Sequence, residues 1–167
     1  CGQTFTQINS QNNGFKITGR SYFEANVTED YNTDKALLED EIWTCLRLAP
    51  ERLPTGSVKI IPSTKAARLL HQKIEPLPAT ASPDNYKGDI FAGKSLKSYT
   101  VVYENGRTLQ IVFEADFPFR IAGWEESYKS RGKMLTTRAT LKKRLLTDYW
   151  AQNSPENRPL RDTLQIP

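Results

Sequence analysis

The sequence predicts a mainly β fold: a curved antiparallel sheet, built as a meander, with one or two short covering helices. Three observations carry this. The stretch 97–145 holds successive runs in which apolar and polar residues alternate. Asn105-Gly106 stands between two of those runs, the strongest short-range hairpin signal. The chain also has 7 tyrosines and 3 tryptophans, residues that suit a pleated, half-buried surface.

The register of the central hairpin can be argued from the sequence. Tyr99, Val101 and Tyr103 form one apolar series, and Leu109, Ile111, Phe113 and Ala115 form the next. A two-residue loop would pair Val101 with Gln110 and send the two series to opposite faces. A three-residue loop (Glu104, Asn105, Gly106) pairs Val101 with Leu109 and Tyr99 with Ile111, which joins them. The expectation is a type I turn with Gly106 left-handed, followed by a bulge. Phe117-Pro118 ends the second strand, since proline cannot donate to a ladder. Phe119, Ile121 and Trp124 open the third strand. Ser130-Arg131-Gly132 is a turn, and a fourth strand runs from Leu135 to about Leu145.

Upstream, two strands are expected over 3–8 and 15–23, joined by the turn-forming cluster Ser10–Gly14. Residues 26–34 are acidic and polar and read as a surface loop; Asn26-Val27-Thr28 matches the glycosylation sequon. Ala36–Leu48 reads as a short helix passing into an extended segment. Leu37, Leu38, Ile42, Trp43 and Leu46 fit a helical face and acids lie early in the run, while Ile42, Leu46 and Leu48 also fit a strand after residue 41. Pro50–Pro54 is a tight helical turn, Val58–Ile61 a strand, and Thr64–Gln72 a short helix. Lys73–Ala81 is extended, and Pro76 and Pro78 place it at a sheet edge. Ser82–Leu96 is the longest irregular segment. Asp148–Trp150 ends the last strand or starts a short helix, and a polar tail follows.

At 167 residues and 38% hydrophobic, the chain is long enough for one domain with a real core, so 1–167 reads as a single β-rich domain. No apolar run approaches the roughly 20 residues of a membrane-spanning helix. The net charge of +4 is mild. Lys142-Lys143-Arg144, with Arg138 nearby, holds much of the excess and reads as a solvated strand end, so no nucleic acid partner is expected. The two cysteines, Cys1 and Cys45, lack the spacing of a zinc knuckle or a CxxC pair. A disulfide between them would need an oxidising compartment. The start at Cys1 fits either a processed lipoprotein or a fragment of a longer chain. The strand-like run directly after it, Thr4–Ile8, favours the fragment.

Several residues invite a catalytic reading. Gly88–Ser95 satisfies GxxxxGK[ST], the phosphate loop of nucleotide-binding proteins. That loop needs a buried strand before it and a helix after it. Here polar turn sequence precedes it and strand sequence follows, so nucleotide binding through Lys94 is not expected. His71 is the only histidine, and no spacing joins it to Cys45 as a nucleophile pair. Glu125 and Glu126 are adjacent on a strand and point to opposite faces, so they cannot flank one glycosidic bond. They are expected to pair with basic residues instead. Trp43, Trp124 and Trp150 suit core packing. No catalytic residue, metal ligand or cofactor is assigned.

The segments CGQTFTQIN, RSYFE, LEDEIWTCLRLAPERLPTG, IIPS, FPFRIAGWEESYKS, KMLTTRATLKKRLLTDYW and LRDTL resemble the C-terminal half of an uncharacterised envelope protein family of Bacteroidetes. Its members carry the label "septum formation inhibitor Maf". The resemblance covers nearly the whole chain and weakens over 82–96. It implies an exported protein of the periplasm or outer membrane, lipid-anchored through an upstream segment. True Maf proteins are nucleotide pyrophosphatases with a Ser/Arg phosphate motif, which has no counterpart here. The expected function is a non-enzymatic envelope domain that binds an apolar or lipid-like ligand on the concave sheet face, through Tyr99, Val101, Leu109, Ile111 and Phe113. The alternative is a structural or protein-interaction domain of the envelope, with an enzyme of unknown type as a third option.

Overall fold

The computed structural model describes residues 3–22 and 28–166. Two sheets and three short helices make up the fold. Strands β1 (Thr4–Gln11), β2 (Gly14–Ser21) and β3 (Thr28–Asp34) form an antiparallel three-stranded sheet in that order. The rest comprises β4 (Leu37–Leu38), α1 (Glu39–Leu48), β5 (Gly56–Ile61), α2 (Thr64–Leu69), β6 (Leu77–Asn85), β7 (Leu96–Tyr103), β8 (Thr108–Glu114), β9 (Ile121–Ser130), β10 (Lys133–Thr140) and α3 (Pro159–Thr163). Seven of these strands form the second sheet, in the order β10-β9-β8-β7-β6-β5-β4. All neighbours are antiparallel except β4 and β5. The meander therefore starts at β5, two strands earlier than expected.

The central hairpin has the expected register. Tyr99 faces Ile111 and Val101 faces Leu109. Gly106 has φ +84°, and its N–H donates to the Tyr103 carbonyl at 2.9 Å, which closes the turn. The β9–β10 turn uses Arg131 and Gly132, both with positive φ (49° and 79°). That pair is the type I′ geometry that matches strand twist.

Alternation divides the core into three. Tyr99, Val101, Leu109, Ile111 and Phe113 meet Ile42 and Leu46 of α1 together with Leu53 and Ile60. Ile61, the next residue of β5, points the other way. It joins Phe15, Ile17, Ala67 and Ile74 between the three-stranded sheet and α2. Val112 also points away from α1 and meets Phe91 and Ala122. β5 thus contributes one isoleucine to each of two cores, which ties the sheets together.

The structure differs from the sequence reading in several places. Residues 28–34 form a strand, β3, paired with β2 from Thr28 to Asp34. Its polarity fits an edge strand, whose ladder bonds need no apolar side chains. Phe23 and the sequon residues Asn26 and Val27 lie outside the described residues. In 36–48 the order is reversed, with the extended pair Leu37–Leu38 first and the helix second. The acids Glu39, Asp40 and Glu41 occupy the helix's first turn, where the dipole favours them. The Glu41 carboxylate also accepts the Leu38 N–H at 3.0 Å. α2 is shorter than expected and starts at a capping serine: the Ser63 hydroxyl accepts the Ala66 N–H at 3.2 Å.

β6 is interior rather than an edge. The Pro78 carbonyl accepts the Glu104 N–H at 3.2 Å, so its absent donor faces the region just past Tyr103, the last residue β7 pairs with β6. Pro83 lies beyond Ala81, where the β5 ladder ends. Proline is tolerated at both places because no central ladder bond is lost. β6 also takes in Ser82–Asn85, so the irregular segment shrinks to 86–95. β10 stops at Thr140, short of Leu145, and the tail holds the short helix α3.

Candidate functional site

The hairpin register that buries Val101 and Leu109 also sends Tyr103 and Arg107 to the same face, one step nearer the turn. Arg107 is 3% exposed. Its guanidinium forks onto Glu39 at the start of α1, with Nη1–Oε2 at 2.5 Å and Nη2–Oε1 at 2.7 Å. Its Nε donates to Glu126 Oε1 on β9 at 2.8 Å. Glu126 accepts a second bond from Lys65 Nζ of α2 at 2.8 Å. The Tyr103 hydroxyl donates to Glu39 Oε2 at 2.5 Å. Two cations and two carboxylates thus form a neutral cluster that links α1, α2, the hairpin and β9.

The cluster's electrostatics follow from burial and pairing. Burial disfavours the Arg107 charge, but the bonds to Glu39 and Glu126 outweigh it and raise its pKa. Burial likewise pushes Glu126 up, and the bonds from Lys65 and Arg107 more than reverse it, leaving the carboxyl below its ordinary value. Burial, with Glu39 behind it, raises the Tyr103 phenol. Asp40 is raised by burial and then by neighbouring Glu39. Among the described residues, no buried side-chain nitrogen or oxygen lacks a hydrogen-bond partner. A cluster satisfied in this way holds elements in place, and its carboxylates are committed to fixed cations.

The five residues assigned to an open concave surface share one face, as expected. That face is not open. Tyr99, Val101, Leu109, Ile111 and Phe113 are 1–3% exposed, because Ile42, Leu46 and Leu53 pack over them. The Tyr99 hydroxyl donates to the Pro54 carbonyl at 2.7 Å, and its pKa is pushed up to about 12, mainly by burial.

The other candidates have structural surroundings. Gly88–Ser95 lies in the irregular link before β7, so a strand and not a helix follows it. Phe91 from this link packs on Val112 and Ala122. Glu125 pairs with Arg138 on β10 and Glu126 faces the cluster, so the two acids do diverge. Trp43 and Trp124 meet edge to face at 6.2 Å, while Trp150 is exposed. Cys45 is a free, half-buried thiol, and Cys1 lies outside the described residues. Among the described residues, no group of three or more His, Cys, Asp or Glu side chains could hold a metal ion.

An open cleft of about 1220 Å³ lies between the three-stranded sheet and α2. Its origin is visible in the register. At the row Ile8–Ile17–Tyr31 the sheet packs against Ala67 and Ile74. The next row on that face carries Thr6, Gly19 and Glu29, and the one after it Thr4 and Ser21, so apart from Glu29 the side chains there are small. Lys65, Arg68, His71 and Lys73 stand on the opposite wall. His71 sits just past α2 with φ 52°. Lys73 Nζ lies 4.4 Å over the Tyr31 ring, and Arg20 is bound to Asp30 at 3.2 Å. The lining holds the basic residues Arg20, Lys65, Arg68 and Lys73 against the acids Glu29 and Asp30.

Sequence reasoning missed both the cluster and the cleft. The cluster had a signal, since the predicted register already placed Arg107 on the buried face, where a charge requires a carboxylate partner. The cleft had none, because it arises between the three-stranded sheet and α2, whose contact the sequence does not encode locally. No family model matches the sequence, and no curated protein or solved structure is significantly similar to it.

Proposed function

We propose that this chain is a non-catalytic interaction domain of the cell envelope, and that it binds a protein partner in the cleft between the three-stranded sheet and α2. One observation carries the reading. The apolar sheet face is filled and the buried charges are mutually paired, whereas the cleft joins a polar sheet face, with Glu29 on it, to a helix that carries Lys65 and Arg68. Side chains already committed to each other make poor acids, bases or nucleophiles. An open concave surface with a basic wall suits an acidic extended segment. The envelope setting rests on the resemblance of the quoted segments to an exported family.

The experiment exploits strand alternation. Thr6 faces the cleft and Gln7 faces away from it. A photocrosslinking amino acid is placed at either position and the protein is expressed in a bacterial envelope. The reading expects a discrete protein adduct from position 6 and none from position 7. Identical adducts from both positions, or lipid adducts alone, would sink it.

A further inference from the structure

Leu141–Trp150, LKKRLLTDYW, follows β10 and belongs neither to a sheet nor to the cleft. Its first residue is anchored, with the Leu141 N–H donating to the Ala122 carbonyl at 2.9 Å. Beyond that point the backbone is irregular until the 3-10 turn at Tyr149–Ala151. Leu141, Leu146, Tyr149 and Trp150 are exposed by 54, 88, 75 and 69%. Phe117, at the same end of the sheet just before β9, is also exposed. Lys142, Lys143 and Arg144 stand among them, all exposed, and none has a salt bridge among the described residues. The stretch has one acid, Asp148, which accepts bonds from Thr147 and Gln152 at 3.1 and 2.9 Å.

A single exposed leucine is ordinary. Four large apolar side chains within ten residues, beside three unpaired cations, match the chemistry of an anionic bilayer surface. Tyrosine and tryptophan favour the headgroup level, with the ring buried and the polar edge wet. We propose that Leu141–Trp150 is a membrane-contact segment that docks the chain on anionic phospholipid. Lys142, Lys143 and Arg144 meet headgroup phosphates, while Leu146, Tyr149 and Trp150 enter the boundary with the acyl chains. A single-stranded nucleic acid would use the cations and rings but leave both leucines in water. Lipid uses the cations, the rings and Leu146. The inference does not depend on the cleft.

The test uses the full chain and vesicles of phosphatidylcholine alone or mixed equally with phosphatidylglycerol. Cosedimentation should show binding to the mixed vesicles only, weakening as salt is added. Each cation near such a surface strengthens binding about fivefold, so Lys142→Gln/Lys143→Gln/Arg144→Gln should weaken it about a hundredfold. Leu146→Ser/Trp150→Ser keeps every cation and should also weaken binding. Brominated acyl chains should quench tryptophan fluorescence in the parent protein and not in Trp150→Phe. Equal binding to both vesicle types, unchanged binding by either multiple variant, or tighter binding of a mixed-sequence single-stranded DNA through the same cations would overturn the proposal.

Discussion

Replacing Arg107 with methionine tests the account of the buried cluster. The side chain is 3% exposed and, among the described residues, is the only cation in a salt bridge with Glu39. Its loss leaves the Glu39 carboxylate buried with the Tyr103 hydroxyl alone, and leaves Glu126 with Lys65 alone. Breaking a buried pair from one side costs about 3–5 kcal/mol, because the orphaned charge stays desolvated. Folded domains are stable by only about 5–15 kcal/mol, so this is a large share. With a urea slope of about 2 kcal/mol/M, the unfolding midpoint should fall by about 2 M. Adding Glu39→Gln and Glu126→Gln to the variant removes the orphaned charges and should restore most of the loss. Arg138→Met, which breaks the half-exposed pair with Glu125, should cost under about 1 kcal/mol. Urea unfolding followed by circular dichroism reads all three. If Arg107→Met costs no more than Arg138→Met, the cluster is not a structural clamp.

Glu126 has a lowered pKa in the folded chain. Its contribution is therefore complete above the ordinary glutamate value and is lost as pH falls through the folded one. Wild type should exceed Glu126→Gln in stability at neutral pH, and the gap should close on acidification; a gap that persists to the lowest pH refutes this. Tyr99, raised to about 12, works in the opposite direction. The folded state keeps the phenol proton longer than the unfolded state, so stability falls as pH rises from about 10 towards 12. Tyr103 and Tyr31 are raised as well, so ultraviolet titration should show more than one tyrosinate forming late, and Tyr99→Phe should remove one of them. Gly123→Ala would place a Cβ 2.4 Å from the Ala139 carbonyl oxygen and 2.3 Å from the Phe91 ring. Overpacking of this kind costs about 1–3 kcal/mol, and protease cleavage in 86–95 should speed up as Phe91 is displaced. Gly106, with φ +84°, should tolerate asparagine better than valine, judged by thermal midpoint.

The sequence revealed the structure where a pattern was self-consistent over a short span. Two apolar series and one Asn-Gly turn admitted a single register, and the chain adopts it. β3 was hidden because an edge strand can be polar almost throughout, and among its described side chains only Tyr31 packs against a core. The order within 36–48 was hidden because Leu37 and Leu38 fit a helical face as well as a strand. Their pairing with Ile60 and Ile61 is a long-range event. Pro76 and Pro78 argued for an edge, yet Pro76 precedes β6 and the donor that Pro78 lacks costs nothing where a ladder has already ended. The assigned ligand residues were placed correctly on one face. What the sequence did not say is that α1 would cover that face.

The same register explains why α1 lies where it does. An apolar helix face on an apolar sheet is tolerant of small slides, since hydrophobic contact is non-directional. The Arg107 fork is not tolerant, because it needs both Glu39 oxygens in one plane. Glu39 is the first residue of α1, directly after the strand that pairs with β5. Arg107 follows directly on the turn that sets the hairpin register. Glu126 lies opposite Leu109 on β9. The fork therefore ties the start of the helix to the one point of the meander whose register is fixed most strictly. Lys65 extends the tie to α2, which forms the basic wall of the cleft. The position of that wall thus depends on Glu39, Arg107 and Glu126, which do not line the cleft, as well as on Lys65, which does. A variant such as Lys65→Met should change binding there through the position of α2, even with Arg68, His71 and Lys73 intact. Paired measurements separate that effect from direct contact. If Lys65→Met and Glu126→Gln weaken binding equally and their combination adds nothing, Lys65 acts through Glu126. Full additivity would make it a contact residue.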